Sequence, residues 1–152
     1  MSELKTEFLF DMSVELEEGQ FIGPTPHGNR LIFYIKHGTF EGPKLKGKVL
    51  PGGGDWYLFR LDEVGEIDVR ATLQTNDNHL IYISYRGIMH IPLEVLNRIH
   101  QGEDVNPAEY YFRTAPFFET ASEKYGWLNR IVSVGIGTYS PGRVSYSIYS
   151  IQ

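Results

Sequence analysis

"GEIDVRATLQTNDNHLIYISYRGI", residues 65–88, is the most informative stretch of the chain. Its first half places apolar residues at every second position, Ile67, Val69, Ala71 and Leu73, and its second half does the same with Ile81, Ile83 and Tyr85. Period two marks strands with one buried face. A two-residue loop between them would set apolar residues against polar ones. A three-residue loop, Asn76 to Asn78, pairs Leu73 with Ile81, Ala71 with Ile83 and Val69 with Tyr85. Each face is then consistent, so this register is predicted, with Asn78 in the left-handed conformation such loops need.

On the N-terminal side lies "LPGGGDW", residues 50–56. A phosphate-binding glycine loop opens a helix, whose free N–H groups face the anion. Here "YLFRLD" follows, which is strand chemistry, and no Lys-Ser or Lys-Thr pair does. The glycines therefore read as a corner feeding a strand. A three-residue turn at Asp62 to Val64 pairs Arg60 with Glu66 and Trp56 with Arg70, completing a meander with two faces. One carries Tyr57, Phe59, Ile67, Val69, Ala71, Leu73, Ile81, Ile83 and Tyr85. The other carries Trp56, Arg60, Glu66, Asp68, Arg70, Thr72, Tyr82, Ser84 and Arg86.

Period-two patterning extends through the chain. Phe8, Phe10, Met12, Val14 and Leu16 alternate with polar residues, with Leu9 out of step. "RLIFYIKHG" and "KLKGKVL" are two further strands, separated by the turn "TFEGP"; 109–115, 128–137 and 143–151 follow later. Lys44, Lys46 and Lys48 share one face, a solvated or edge-protecting one. Residues 92–101, "PLEVLNRIHQ", are the predicted helix, with Pro92 in its first turn, a stripe of Leu93, Leu96 and Ile99, and Gly102 as its stop. About nine short strands and one helix predict a mainly β, antiparallel barrel or sandwich, formed by residues 1–152 as a single domain.

Nineteen acidic residues against 14 Lys plus Arg give a net charge of −5, which disfavours a nucleic-acid partner. The absence of cysteine excludes disulfides and thiolate chemistry. The acidic N-terminal stretch lacks a signal-peptide core, and no segment has the length of an apolar membrane span, so a cytoplasmic protein away from membranes is expected. His27, His37, His79, His90 and His100 have no metal-ligand spacing, and no serine-hydrolase elbow occurs. No metal or cofactor is expected.

The polar face of the meander draws the chemistry together. Asp68 falls opposite Arg86 and diagonal to Arg60 and Ser84. The face is either a solvated exterior, whose ion pairs contribute little, or the wall of a barrel mouth, where arginines and Tyr82 orient a ligand against Trp56. "YYFRTAPFFET" adds Arg113 and Glu119, as an ordinary strand before a Pro116 turn or as an anion site. "YGWLNRI" adds Trp127, Asn129 and Arg130, with Asn129 on the face opposite to Leu128 and Arg130.

Four segments, "GPTPHGNRLIFYIKHGTFEGPKLKGKVLPGGGDW", "EIDVRATLQT", "YYFRTAPFFET" and "YGWLNRIVSVGIG", together resemble the domain of unknown function 3237 family, also called uncharacterised protein family 0311, over residues 22 to 150. "NDN" and "VGIGTYSPG" depart from the family pattern in loops. The resemblance implies a closed antiparallel barrel of lipocalin-like or allene-oxide-cyclase-like outline that handles small molecules. It also implies that Gly52 to Gly54 form the corner bringing Asp55 and Trp56 to the barrel mouth.

The first functional expectation is a barrel binding a small, partly apolar ligand with an acidic or carbonyl group. Arg60, Arg70, Arg86 and Arg113 would hold its oxygens, with Trp56 and Tyr82 covering its carbon skeleton. The alternatives are a cofactor-free isomerase or cyclase using Asp68 or Glu119 as acid or base, and an oligomeric structural protein without a pocket. A homodimer is expected, to cover any exposed apolar face.

Overall fold

The computed structural model describes residues 2–152 as ten strands, one α-helix and two 3₁₀ turns. The strands are β1 (Thr6–Leu16), β2 (Gln20–Thr25), β3 (Gly28–Glu41), β4 (Lys46–Val49), β5 (Gly54–Phe59), β6 (Gly65–Thr75), β7 (Leu80–His90), β8 (Tyr111–Glu119), β9 (Ser133–Ser140) and β10 (Arg143–Ile151). The helix α1 (Leu93–His100) joins β7 to β8. All pairings are antiparallel. The long β3 pairs with β1 and β4 along its second half and with β2 and β5 along its first. β4 and β5 thus form one broken stave between β3 and β6, and the β1–β3 pairing closes an eight-stave barrel. Closure removes the free sheet edges an open meander would leave.

The predicted β6–β7 register holds, with Leu73 opposite Ile81, Ala71 opposite Ile83 and Val69 opposite Tyr85. Asn78 takes a φ of 67° in the three-residue loop. The β5–β6 turn also has three residues, but they are Leu61 to Glu63, one position earlier than expected. The Arg60 N–H donates to the Val64 carbonyl, and Glu63 takes the left-handed φ of 64°. Arg70 consequently faces Gly54 instead of Trp56, a slip of two residues that leaves every side chain on its predicted face.

A register shift between Phe8 and Phe10 explains why Leu9 breaks the alternation. The bulge turns both Leu9 and Phe10 inward and leaves Phe8 exposed. Three further boundaries differ. β2, with its Gly23 and Pro24, carries no strand signature; β3 runs on through the predicted turn to Glu41; and the segment before β9 is a 3₁₀ turn, Gly126–Arg130. Of the predicted α1 stripe, Ile99 is buried and Leu96 half-buried, whereas Leu93 is exposed and Val95 is buried in its stead.

The apolar face of the meander forms the barrel interior: Ile67, Val69, Leu73, Ile81, Ile83 and Tyr85 are all buried. The other staves of the barrel thus cover this face. One end is packed solid by Phe10, Phe40, Leu73, Ile81, Phe118 and Ile148, with the Phe10 ring 5.3 Å from Phe40 and 5.9 Å from Phe118. Burying each such side chain contributes about 1.5–3 kcal/mol. No helix of the described residues is long and apolar enough to cross a membrane.

Candidate functional site

The other end of the barrel is open. A cavity of about 490 Å³ lies there between the first half of β3, β5, the end of β7, the β9–β10 turn and α1. Its walls are Leu31, Phe33, Tyr57, Phe59, Met89, Ile91, Leu96, Tyr139 and Val144. Leu31 and Phe33 on β3, and Tyr57 and Phe59 on β5, point inward because the period-two pattern puts alternate residues on one face. Volume and apolar lining are those of a small-molecule site.

Asp55 breaks that apolar pattern. It stands on the interior face of β5, opposite Val69, and lines the cavity. Its Oδ1 accepts the Asp68 backbone N–H at 3.0 Å. The β5–β6 ladder has no pairs at Trp56 and Tyr57, and the Trp56 carbonyl instead accepts the Arg30 guanidinium at 2.8 Å. The carboxylate thus takes the place of a ladder carbonyl at this break. Its remaining accessible surface opens on the cavity, while protein surrounds its other sides. Burial pushes the Asp55 carboxyl up from its ordinary 3.8 to about 7. The Asp68 amide and the Arg30 charge oppose that rise, and the Asp68 charge adds to it. Near neutral pH the group can therefore both give and take a proton.

Two residues on, and on the same face, Tyr57 supplies a phenol. Its hydroxyl has no hydrogen-bond partner among the described protein groups. Burial and then the Asp55 charge push it up to about 12, so it stays a donor at neutral pH. Gly65 makes room for it: a Cβ there would lie 2.1 Å from the Tyr57 Oη. Deeper still, Tyr85 and Tyr146 pack edge to face with ring centres 5.1 Å apart, and burial raises both. At the rim, His100 Nε2 lies 3.1 Å from the Tyr139 hydroxyl and ties α1 to β9. Glu17, Glu18 and Glu63 complete the rim. Among the described residues no three His, Asp or Glu converge as a metal site.

The residues predicted from sequence lie elsewhere. Trp56, Asp68, Arg70, Tyr82 and Arg86 sit on the outer face of the meander, and none lines the mouth cavity. The reading that turned this face into a barrel mouth is corrected, because the interior is taken by the apolar set opposite. Asp68 does face Arg86 across the β6–β7 ladder, and the Arg70 guanidinium lies 5.6 Å from the Trp56 ring. Arg60 instead pairs with Asp62 at 2.5 Å and Glu66 at 3.3 Å at the β5–β6 turn. Arg113, on the outside of β8, stacks 5.2 Å from the Tyr111 ring. Glu119 and Tyr82 are cross-strand neighbours in an open outer groove, with Phe117 and Asn129. Asn129 Oδ1 accepts the Thr120 N–H at 2.8 Å while Leu128 is buried, so the 3₁₀ turn sends the two to different sides.

Sequence reasoning brought Asp55 to the mouth but assigned it no role. One signal was available: Asp55, Tyr57 and Phe59 alternate, so a strand that begins at Gly54, ahead of Trp56, puts the acid on the apolar face. The Gly52–Gly54 corner brings Asp55 to the mouth as expected, whereas Trp56 turns to the outer face. Gly52 has a φ of 105°, and a Cβ on Gly53 would lie 2.4 Å from the Arg70 carbonyl oxygen.

Residues 4–151 match the family described as "Protein of unknown function (DUF3237)". A UPF0311 protein of Clostridium acetobutylicum is 34% identical over 153 residues, spanning 100% of this chain and 97% of that protein. Two crystal structures share the fold across the full chain. A β-barrel-like protein from Acinetobacter baumannii is 38% identical with a TM-score of 0.87, covering 98% of that chain. A conserved protein of unknown function from Rhodopseudomonas palustris is 30% identical with a TM-score of 0.93, covering 100%.

Proposed function

This chain belongs to the DUF3237 family, and from that premise we propose that the open end of its barrel binds a small, largely apolar molecule presenting a carbonyl or hydroxyl oxygen to Asp55 and Tyr57. The observation that carries this reading is the Asp55 carboxyl, on the inward face of β5 among the apolar walls of the cavity and held at about 7 by burial. A polar group kept in such surroundings loses hydration that folding alone does not return. A ligand oxygen between the acid and the unpartnered phenol restores it, while Phe33, Phe59 and Met89 cover the carbon skeleton. Ligand-observed NMR with two-ring aromatic ketones tests this. Binding that disappears in a Leu31→Trp variant, which fills the cavity, supports the reading. No binding, or binding unchanged by Leu31→Trp, contradicts it.

A second reading, cofactor-free acid–base catalysis as in an isomerase or cyclase, rests on the same carboxyl. Ionised Asp55 would take a proton from carbon next to a ligand carbonyl, the electrons moving onto the carbonyl oxygen as an enolate. Tyr57 would hydrogen-bond that oxygen, and the protonated acid would return the proton at a different atom. Exchange of such carbon-bound protons of a bound ketone in D₂O, lost in Asp55→Asn, supports catalysis. Exchange at the uncatalysed rate leaves binding as the function.

A further inference from the structure

We infer that the barrel mouth selects neutral ligands and rejects anionic ones, so that of the acidic and carbonyl ligands the sequence allows, it takes the carbonyl class. The inference rests on the ligand-binding reading above and narrows it by charge.

Apart from His100, every titratable acid or base of the Asp, Glu, Lys and Arg types that lines the cavity is a carboxyl group: Asp55 inside, and Glu17, Glu18 and Glu63 at the rim. Among the described residues neither lysine nor arginine lines it. The cation nearest in effect to Asp55 is Arg30, whose guanidinium is engaged by the Trp56 carbonyl and which does not line the cavity. Arg143, beside the β9–β10 turn, donates to the Ser13 hydroxyl at 2.9 Å and likewise does not line it. His100 is the remaining basic side chain, engaged with Tyr139.

A ligand carboxylate entering here would lose hydration, meet no fixed cation and approach an acidic rim, so its rejection needs no steric device. A ketone has far less hydration to lose and carries no charge for the rim to repel. Its oxygen finds the Tyr57 hydroxyl and, while protonated, the Asp55 carboxyl. The arginines that would have held an anionic group lie on the outside of the barrel, where Arg60, Arg70, Arg86 and Arg113 all stand apart from the cavity.

Two probes of nearly equal shape test this: 2-acetylnaphthalene, neutral, and 2-naphthoate, anionic, each titrated at pH 8. The expected result is at least tenfold tighter binding of the ketone. In a Glu17→Gln, Glu18→Gln, Glu63→Gln variant the preference should shrink severalfold, through stronger naphthoate binding. Glu63→Gln alone, on the exposed β5–β6 turn, should give the same trend if the triple variant folds poorly. Naphthoate binding as tightly as the ketone overturns the charge selection alone, and a preference untouched by rim neutralisation overturns the part given to the rim carboxylates, leaving the rejection to Asp55 and the missing cation. Failure of both probes to bind removes the ligand-binding reading together with it.

Discussion

At one end of the barrel Phe10, Phe40, Leu73, Ile81 and Ile148 are shut away from solvent; at the other, Leu31, Phe33, Tyr57, Phe59 and Met89 keep part of their surface open on a cavity. The same alternation of side chains builds both ends. The difference comes from what fills the space between the staves. Rings from β1, β3 and β8 meet across the packed end. At the mouth, the β3 and β5 rings pack on each other along the wall, Phe33 lying 6.2 Å from Tyr57, and leave the centre free. One end therefore supplies stability, and the other is free to hold a polar group that stability alone would not favour.

The largest expected effect separates the two ends directly. Phe10→Ala opens a cavity in the packed end and should cost about 3–5 kcal/mol in urea denaturation, whereas Phe33→Ala enlarges a cavity that already exists and should cost less than about 2. Equal losses would mean that the mouth is packed like the core.

Next in size is the pH dependence of the acid at the mouth. Asp55 has a folded-state pKa of about 7 against an ordinary 3.8. Between about pH 4 and 7 the folded chain therefore holds the extra proton, and stability falls as pH rises through that window. Asp55→Asn removes this dependence and keeps an oxygen for the Asp68 amide. At pH 8 it should exceed the parent by about 2–3 kcal/mol, a discount on about 1.4 kcal/mol per pKa unit for water in the cavity, and at pH 4 the two should nearly coincide. A parent whose stability rises between pH 4 and 7 by the same amount as the variant's would contradict the buried acid.

A smaller effect concerns the corner that sets Asp55 in place. Gly53→Ala drives a Cβ against the Arg70 carbonyl oxygen and should cost about 2 kcal/mol by thermal unfolding. Gly126→Ala meets nothing within 4 Å and should stay within about 0.5 kcal/mol of the parent. Smallest of all, Asp68→Asn acts on the solvent side of the same sheet and should change stability by under about 1 kcal/mol, with ketone binding unaltered. A larger loss, or lost binding, would return the outer face to consideration as a site.

The fold was legible where period two was uninterrupted. β6, β7 and their loop follow from the requirement that each face match, and a two-residue slip at β5 was invisible because it preserves the faces. β2 escaped because its Gly and Pro hide a strand that pairs only with β3. The site was harder to read. Charge clustering pointed to Asp68 and its arginines, yet clustered charge is also what an outer barrel face carries. A lone acid among aromatics, Asp55, was the stronger signal, and its meaning depended on starting the strand at Gly54.

The measurement closest to the central claim is a carboxyl ¹³C NMR titration, with the Asp55 resonance assigned as the one missing in Asp55→Asn. A midpoint near 7 is predicted for the unliganded protein. A midpoint near the ordinary 3.8 would place Asp55 in water-like surroundings and contradict the candidate site.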